Sequence, residues 1–245
     1  MTKGTGKEFM EKTKYSHLGE SDQRKGLSQP PLELPNDRGG AAIALPEPST
    51  IDVGTYDLRE AIEGRRSVRV YSPEALTLDE LSWLLWATQG VQTLRPGATL
   101  RTVPSAGARH AFETYVLVNR VEGLEQGLYR FMASEHKLRI IDLEPGLDDR
   151  VTAASLKQAI VKNSAATFIW VAVPYRMNWR YDERGYRYIH LDAGHVCQNL
   201  YLASEAVGCG ACAIGAYDDD EVNALLGLDG AEQFVIYMAT VGKKG

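Results

Sequence analysis

The chain has little cysteine, three residues in 245 at positions 197, 209 and 212. A small, odd number of thiols excludes a disulfide framework and suits a reducing compartment, so a cytoplasmic location is expected. The one C-x-x-C, Cys209-Gly210-Ala211-Cys212, has no second pair to make a zinc knuckle and sits among apolar residues, which reads as buried small side chains. No run approaches the roughly 18 apolar residues of a membrane span, so no membrane association is expected. Met1-Thr2-Lys3-Gly4 leads into no apolar h-region, and no secretory signal is expected. There is no excess of positive charge: the net charge of −5 argues against a general nucleic-acid binder. No G-x-G-x-x-G follows a strand-like run, which removes support for a Rossmann nicotinamide site. No metal site is expected either. His190 and His195 would lie about 140° apart on a helix, on different faces.

What is present is ordinary for a globular protein, 44% hydrophobic and 24% charged, with no internal repeat. Residues 1–50 read as an arm: Gly26 to Pro48 is rich in Pro and Gly with little apolar periodicity, a segment either disordered or wrapped over a neighbour. Phe9, Met10 and Tyr15 are its candidate anchors. Residues 51–245 read as one domain. Leu58, Ala61 and Ile62 predict a short helix that Gly64 ends. Thr77 with Glu80 forms a capping-box pattern ahead of helical spacing up to Thr88. Strands are predicted at 114–119, 128–132, 137–143, 167–173, 210–216 and 233–241, and helices at 147–160, 188–207 and 221–226. Helix 188–207 is apolar on more than one side, as in a core or an interface. Helices and strands mix without strict alternation, which predicts an α+β fold.

The chemistry concentrates in Arg65-Arg66-Ser67-Val68-Arg69. In an extended chain Arg65, Ser67 and Arg69 share one face and Arg66 points away, giving a cationic palm suited to phosphate and polar ring carbonyls. The alternative is a solvated basic run. Pro104-Ser105-Ala106-Gly107 is a tight loop that lets backbone N–H groups approach a flat or anionic ligand, or an ordinary turn. Ile214-Gly215-Ala216 offers bare backbone, or a tightly packed strand. Lys243 and Lys244 offer a second phosphate contact, or a solvated tail. Tyr175 to Tyr188 interleaves arginines with aromatics, a pattern that stacks nucleobases or forms a mobile lid over an aromatic ligand. The acidic balance favours the lid, with no nucleic-acid partner.

Together these stretches resemble the FMN-dependent nitroreductase superfamily, and within it the SagB-type, azoline-oxidase-like dehydrogenases. The resemblance spans about residues 55–245 and rests on 65–69, on Pro104 to His110, on Tyr186 through Leu200 and on Gly208 to Asp220. It implies a nitroreductase-like mixed sheet flanked by helices, in an intertwined homodimer with a long central helix and FMN at the interface. By the resemblance, Arg65, Arg66, Ser67 and Arg69 bind FMN, with Arg69 near N1 and O2. Pro104, Ser105, Ala106 and Gly107 cover the ring from the partner subunit. Ile214, Gly215 and Ala216 face it, Lys243 or Lys244 reaches the phosphate, and Gln158 meets the pyrimidine edge. The implied activity passes a hydride between NAD(P)H or an organic donor and a small-molecule acceptor, nitro, quinone or related. Two alternatives remain, an azoline dehydrogenase acting on a modified peptide and a flavin-binding protein without turnover. The azoline enzymes carry a Lys-Tyr pair where this chain has Arg180-Tyr181, the candidate catalytic residues. Arginine is too basic to act as the general base, which leaves Tyr181 as a proton donor or acceptor.

Overall fold

The structure, a computed structural model, describes residues 4–35 and 40–245. In chain order the helices and strands are α1 (Thr5–Lys12), β1 (Ala42–Ala44), α2 (Leu58–Gly64), α3 (Leu78–Gln89), β2 (Val91–Arg95), β3 (Ala98–Arg101) and β4 (Phe112–Val118). They continue with β5 (Gly127–Met132), β6 (Lys137–Asp142), α4 (Leu147–Ala154), α5 (Ile160–Asn163), β7 (Ala166–Ala172) and α6 (Pro174–Tyr181). The last are α7 (Gly185–Ala206), β8 (Cys209–Ile214), α8 (Asp219–Leu225) and β9 (Phe234–Lys243).

Local chemistry starts the helices. Asp57 accepts from the N–H groups of Arg59 and Glu60 at the head of α2. Thr77 and Glu80 close a reciprocal capping box on α3, each side chain taking the other's backbone N–H. Burial by period two shapes the strands. In β7, Phe168, Trp170 and Ala172 join one core, and Ile169 and Val171 the other. A strand buried on both faces reads as a continuous apolar run, which is how this one announced itself.

The seven-stranded sheet has the order β1-β6-β5-β4-β7-β9-β8. Every pairing between its strands is antiparallel, so the mixed sheet expected from the resemblance is corrected. Among the described residues parallel pairing is confined to isolated bridges, Ser67 with Ala211 and Leu76 with Val121. Apolar residues of α3, α6 and α7 pack on one face of the sheet, and those of α4 and α8 on the other.

Three local expectations need correction. The single helix 147–160 is broken. Leu156 and Lys157 both have positive φ, and the carbonyl of Ala154 accepts the N–H of Asp218 instead of continuing a helix. The hairpin of β2 and β3 was not foreseen, although Pro96-Gly97 between alternating residues signals it. The segment 175–188 is not a loose lid. Most of it is α6 and the first turn of α7, with Arg176, Met177 and Trp179 buried.

The reason lies in the N-terminal arm, which wraps its own chain. Trp179 donates from Nε1 to Leu27 O, Gln23 donates its N–H to Trp179 O, and Arg176 donates from Nε to Pro31 O. Arg176 also forms a fully buried ion pair with Glu113 at 2.5 Å, and Glu113 takes the N–H of Leu34. Breaking such a pair leaves a buried charge and costs about 3–5 kcal/mol, which pins the segment. Of the foreseen anchors, Phe9 packs edge-on against His190 and Tyr15 shares a hydroxyl hydrogen bond with Tyr188, whereas Met10 is half exposed. β1 then adds the arm's end to the sheet edge.

Candidate active site

After α2 the chain runs extended along the edge of β8. Val68 donates its N–H to Ala211 O, and Ser72 donates to Lys243 O. Arg65 lies over the Tyr201 ring at 5.2 Å, and the Ser67 hydroxyl is 3.0 Å from Tyr201 Oη. Tyr201 Oη also accepts the N–H of Ala213, tying the palm to β8. Arg69 reaches the carbonyl of Ser67 through Nη1. Neither Arg65 nor Arg69 has a carboxylate partner among the described residues. Arg66 is turned the other way and donates Nη1 to the carbonyls of Glu63 and Arg65 at the end of α2. Its guanidinium neutralises a helix C-terminus and is withdrawn from the palm.

Ile214 is the last residue of β8, and Gly215 and Ala216 follow it, exposed. A Cβ built on Gly215 would meet only the edge of Tyr237, at 3.9 Å, so the backbone there is a bare shelf. Gln158 donates from Nε2 to Ala216 O at 2.7 Å and to Ser155 O. The break after α4 is what brings Gln158 to the shelf. Lys243 and Lys244 are less available than expected. Lys243 pairs with Glu80 and Lys244 with Glu205, so carboxylates already occupy both ammonium groups.

A second cluster lies toward the start of α7. The N–H of Ala106 points to both Asp192 carboxylate oxygens at 3.3 Å, and Ser105 Oγ accepts the N–H of His110. Pro104 and Gly107 are exposed on this loop. Gly107 has φ +59, and a Cβ there would collide with Tyr181 Oη. Arg180 and Tyr181 therefore stand directly against the 104–107 loop. Burial pushes the Asp192 carboxyl up, opposed by the Ser105 hydroxyl and the Ala106 N–H. His195 Nδ1 lies 3.9 Å from the same carboxylate. No group of three metal-binding side chains occurs among the described residues.

Two residues of the site were missed in the sequence. Tyr201 meets both Arg65 and Ser67, yet within an apolar helix it gave no signal. Asp192 lay within the resembling stretch 186–200 but was given no role, although a carboxylate on that apolar helix needs a partner, which the loop supplies. The two clusters sit nine residues apart on α7, Asp192 to Tyr201, about 13.5 Å at 1.5 Å per residue.

A model of the nitroreductase family matches residues 62–243. The chain belongs to the nitroreductase family. A protein of Methanocaldococcus jannaschii named as a nitroreductase is 37% identical over 194 residues, covering 79% of this chain and 94% of the relative. The trifolitoxin-processing protein TfxB of Rhizobium leguminosarum bv. trifolii is 31% identical over 166 residues, 64% of this chain and 44% of that protein. A solved structure from Anabaena variabilis described as a nitroreductase has a TM-score of 0.69 at 30% identity, covering 84% of this chain and 42% of that one. The chain thus spans less than half the length of the last two. Within the family it is an enzyme, a flavin oxidoreductase, and it resembles the SagB-type dehydrogenases. The arm and α1 lie outside the matched region. Among the described residues no helix is long and apolar enough to cross a membrane.

Proposed function

We propose that the protein is an FMN-dependent oxidoreductase that passes a hydride between NAD(P)H or an organic donor and a small-molecule acceptor such as a nitroarene or quinone. The observation that carries this reading is the pair of carboxylate-free guanidinium groups, Arg65 and Arg69, on the one stretch that follows the edge of β8, the strand that leads into the bare Gly215–Ala216 backbone. The donor set fits a phosphorylated flavin. Arg65 and Ser67 would hold phosphate and polar edge groups, and Gln158 is poised at the shelf for the pyrimidine side. Arg69 would supply the cation that stabilises negative charge on the reduced ring. Bound FMN supplies the hydride chemistry at N5, and no protein nucleophile is required.

The chain's own residues bind, orient and exclude water. Tyr181 Oη, against Gly107, is positioned to hold or pass a proton to substrate, whereas Arg180 stays cationic and orients it. The loop 104–107 lies on the opposite stretch of α7 from the palm. In a homodimer each loop would cover the palm of the other chain, which is why neither cluster is a complete site alone.

Purified protein should be yellow, bleach with NADH or NADPH and recover its colour with a nitroarene or quinone. Arg65→Ala and Arg69→Ala should each retain at least tenfold less flavin at equal protein concentration. A colourless protein, or variants with full flavin occupancy and unchanged turnover, would sink the assignment. A yellow protein inert to every reductant would favour flavin binding without turnover. The likeness to a trifolitoxin-processing protein favours a second reading, oxidation of a modified peptide. Arg180 in place of the lysine weighs against it, and bleaching of the oxidised flavin by an azoline-containing peptide, which gives up a hydride as it becomes the azole, with colour restored by the quinone, decides it.

A further inference from the structure

A cleft of about 560 Å³ opens between the N-terminal arm and the end of α6, lined by Tyr15, Gly19, Gln23, Arg24, Arg180 and Tyr181 among others. Most of its wall comes from the arm, which the family model does not cover. Its polarity runs against the molecule's net charge of −5. Two arginines face one lining carboxylate, Asp182, which is already engaged by the N–H of Gly19 at 2.9 Å. Asp22, next to the cleft, is paired with Lys25 and takes the Tyr175 hydroxyl. Arg24 and Arg180 are both exposed and have no carboxylate partner among the described residues; Arg180 only overhangs the Tyr181 ring, at 5.7 Å.

Behind them lies a third guanidinium. Arg109 is 3% exposed, donates Nε to Arg176 O, stacks over Trp179 at 5.0 Å and leaves Nη2 without a partner among the described residues. Arg176, whose carbonyl takes the Arg109 Nε, itself holds the buried Glu113 carboxylate. Three guanidinium groups therefore gather on this side against one lining carboxylate, beside the loop 104–107 that approaches Tyr181.

We propose that this cleft is the subsite for an anionic group on the substrate, a carboxylate or a phosphate ester, with Arg24 and Arg180 as its ligands. The inference rests on the oxidoreductase reading and extends it. The arm selects substrates by charge, and the arginine that replaces the expected lysine next to Tyr181 becomes a substrate anchor instead of a base. An arginine fork matches either anion in two-point contact. The carboxylate would belong to an acidic acceptor and the phosphate ester to the nicotinamide nucleotide.

The test is calorimetric titration of the protein as purified with benzoate, phenyl phosphate and the neutral isostere benzamide. One or both anions should bind at least tenfold more tightly than benzamide, and Arg24→Gln should weaken them at least tenfold while leaving benzamide unchanged. Arg24→Lys should recover part of the loss. Preference for benzoate assigns an acid acceptor, and preference for phenyl phosphate assigns the nucleotide. Anions that bind no better than benzamide, or an Arg24→Gln variant that binds them as well as the parent, would overturn the subsite. Flavin absorbance and NAD(P)H bleaching of the same sample separate the two claims. A yellow, active protein that ignores charge sinks only the subsite. A colourless, inert protein sinks the oxidoreductase reading and the substrate assignment with it.

Discussion

His110 is 4% exposed and holds a left-handed backbone, with its N–H on Ser105 Oγ at the base of the 104–107 loop. Burial first, then the charge of Arg101, brings its pKa down to about 3. In the unfolded chain the same imidazole titrates near 6.5. Below pH 6.5 the unfolded state takes up a proton that the native state refuses, so stability falls with falling pH, by up to about 1.4 kcal/mol per unit until about pH 3. Above pH 6.5 this contribution is flat. His136, whose pKa burial also lowers, acts with the same sign. Asp192 acts oppositely: its raised pKa removes stability as pH rises from 3.8 through the native value. Urea midpoints measured between pH 5 and 8 should therefore decline below 6.5. His110→Gln should flatten that decline, and an unaltered curve in the variant would show that the imidazole is already charged in the native state. Asp192 itself was visible in the sequence, but its role was not, because the loop that uses it is 86 residues away.

Among the elements, the extended segment 67–72 decides whether the palm exists. It follows the edge of β8 and then the end of β9, and two glycines admit it. A Cβ on Gly210 would lie 2.5 Å from Val68 Cγ2, and one on Gly242 would lie 2.8 Å from Tyr71 Cγ. Tyr71 completes the contact by donating its hydroxyl to Thr240 O, and burial pushes that hydroxyl's pKa up. Gly210→Val should overpack this seam at a cost of about 1–3 kcal/mol and displace Ser67 from Tyr201. Chemical denaturation should report the stability loss, and flavin absorbance per chain should fall with it. Full flavin retention in a destabilised variant would mean that the palm does not depend on the seam. In the sequence Gly210 is only one small residue in a C-x-x-C. Its burden comes from Val68, which the chain delivers from 142 positions earlier.

At the scale of the whole molecule, α7 has more apolar surface than one chain covers. Ile189, Ala193, Val196, Leu200 and Ala203 are buried against the sheet, but Leu191 is 59% exposed. Leu202 and Ala206 line an apolar cleft of about 340 Å³ with Trp83, Trp86, Tyr56 and Leu58. Ile62 on α2 is likewise exposed. Exposed apolar surface on this scale marks an association site. A stable homodimer is expected, with an interface above the standard of about 1,600 Å². Leu191→Glu should shift it toward monomer and release flavin in parallel. A flavin-loaded monomer in light scattering would contradict a shared site.

The amino-acid sequence alone determined the α+β class, the capped start of α3, the doubly buried β7 and the cationic pattern of Arg65, Ser67 and Arg69. Each is written in neighbouring residues, through spacing, capping or alternation. Only the tertiary structure decided that the arm lies on α6, that Arg176 is paired with Glu113, that helix 147–160 breaks to carry Gln158 to Ala216, and that Lys243 is taken by Glu80. These depend on partners 58 to 163 positions away, with 63 separating Arg176 from Glu113. Propensity and periodicity act over a few residues, whereas a buried charge or an orphan carbonyl takes whichever partner the fold brings within hydrogen-bond reach.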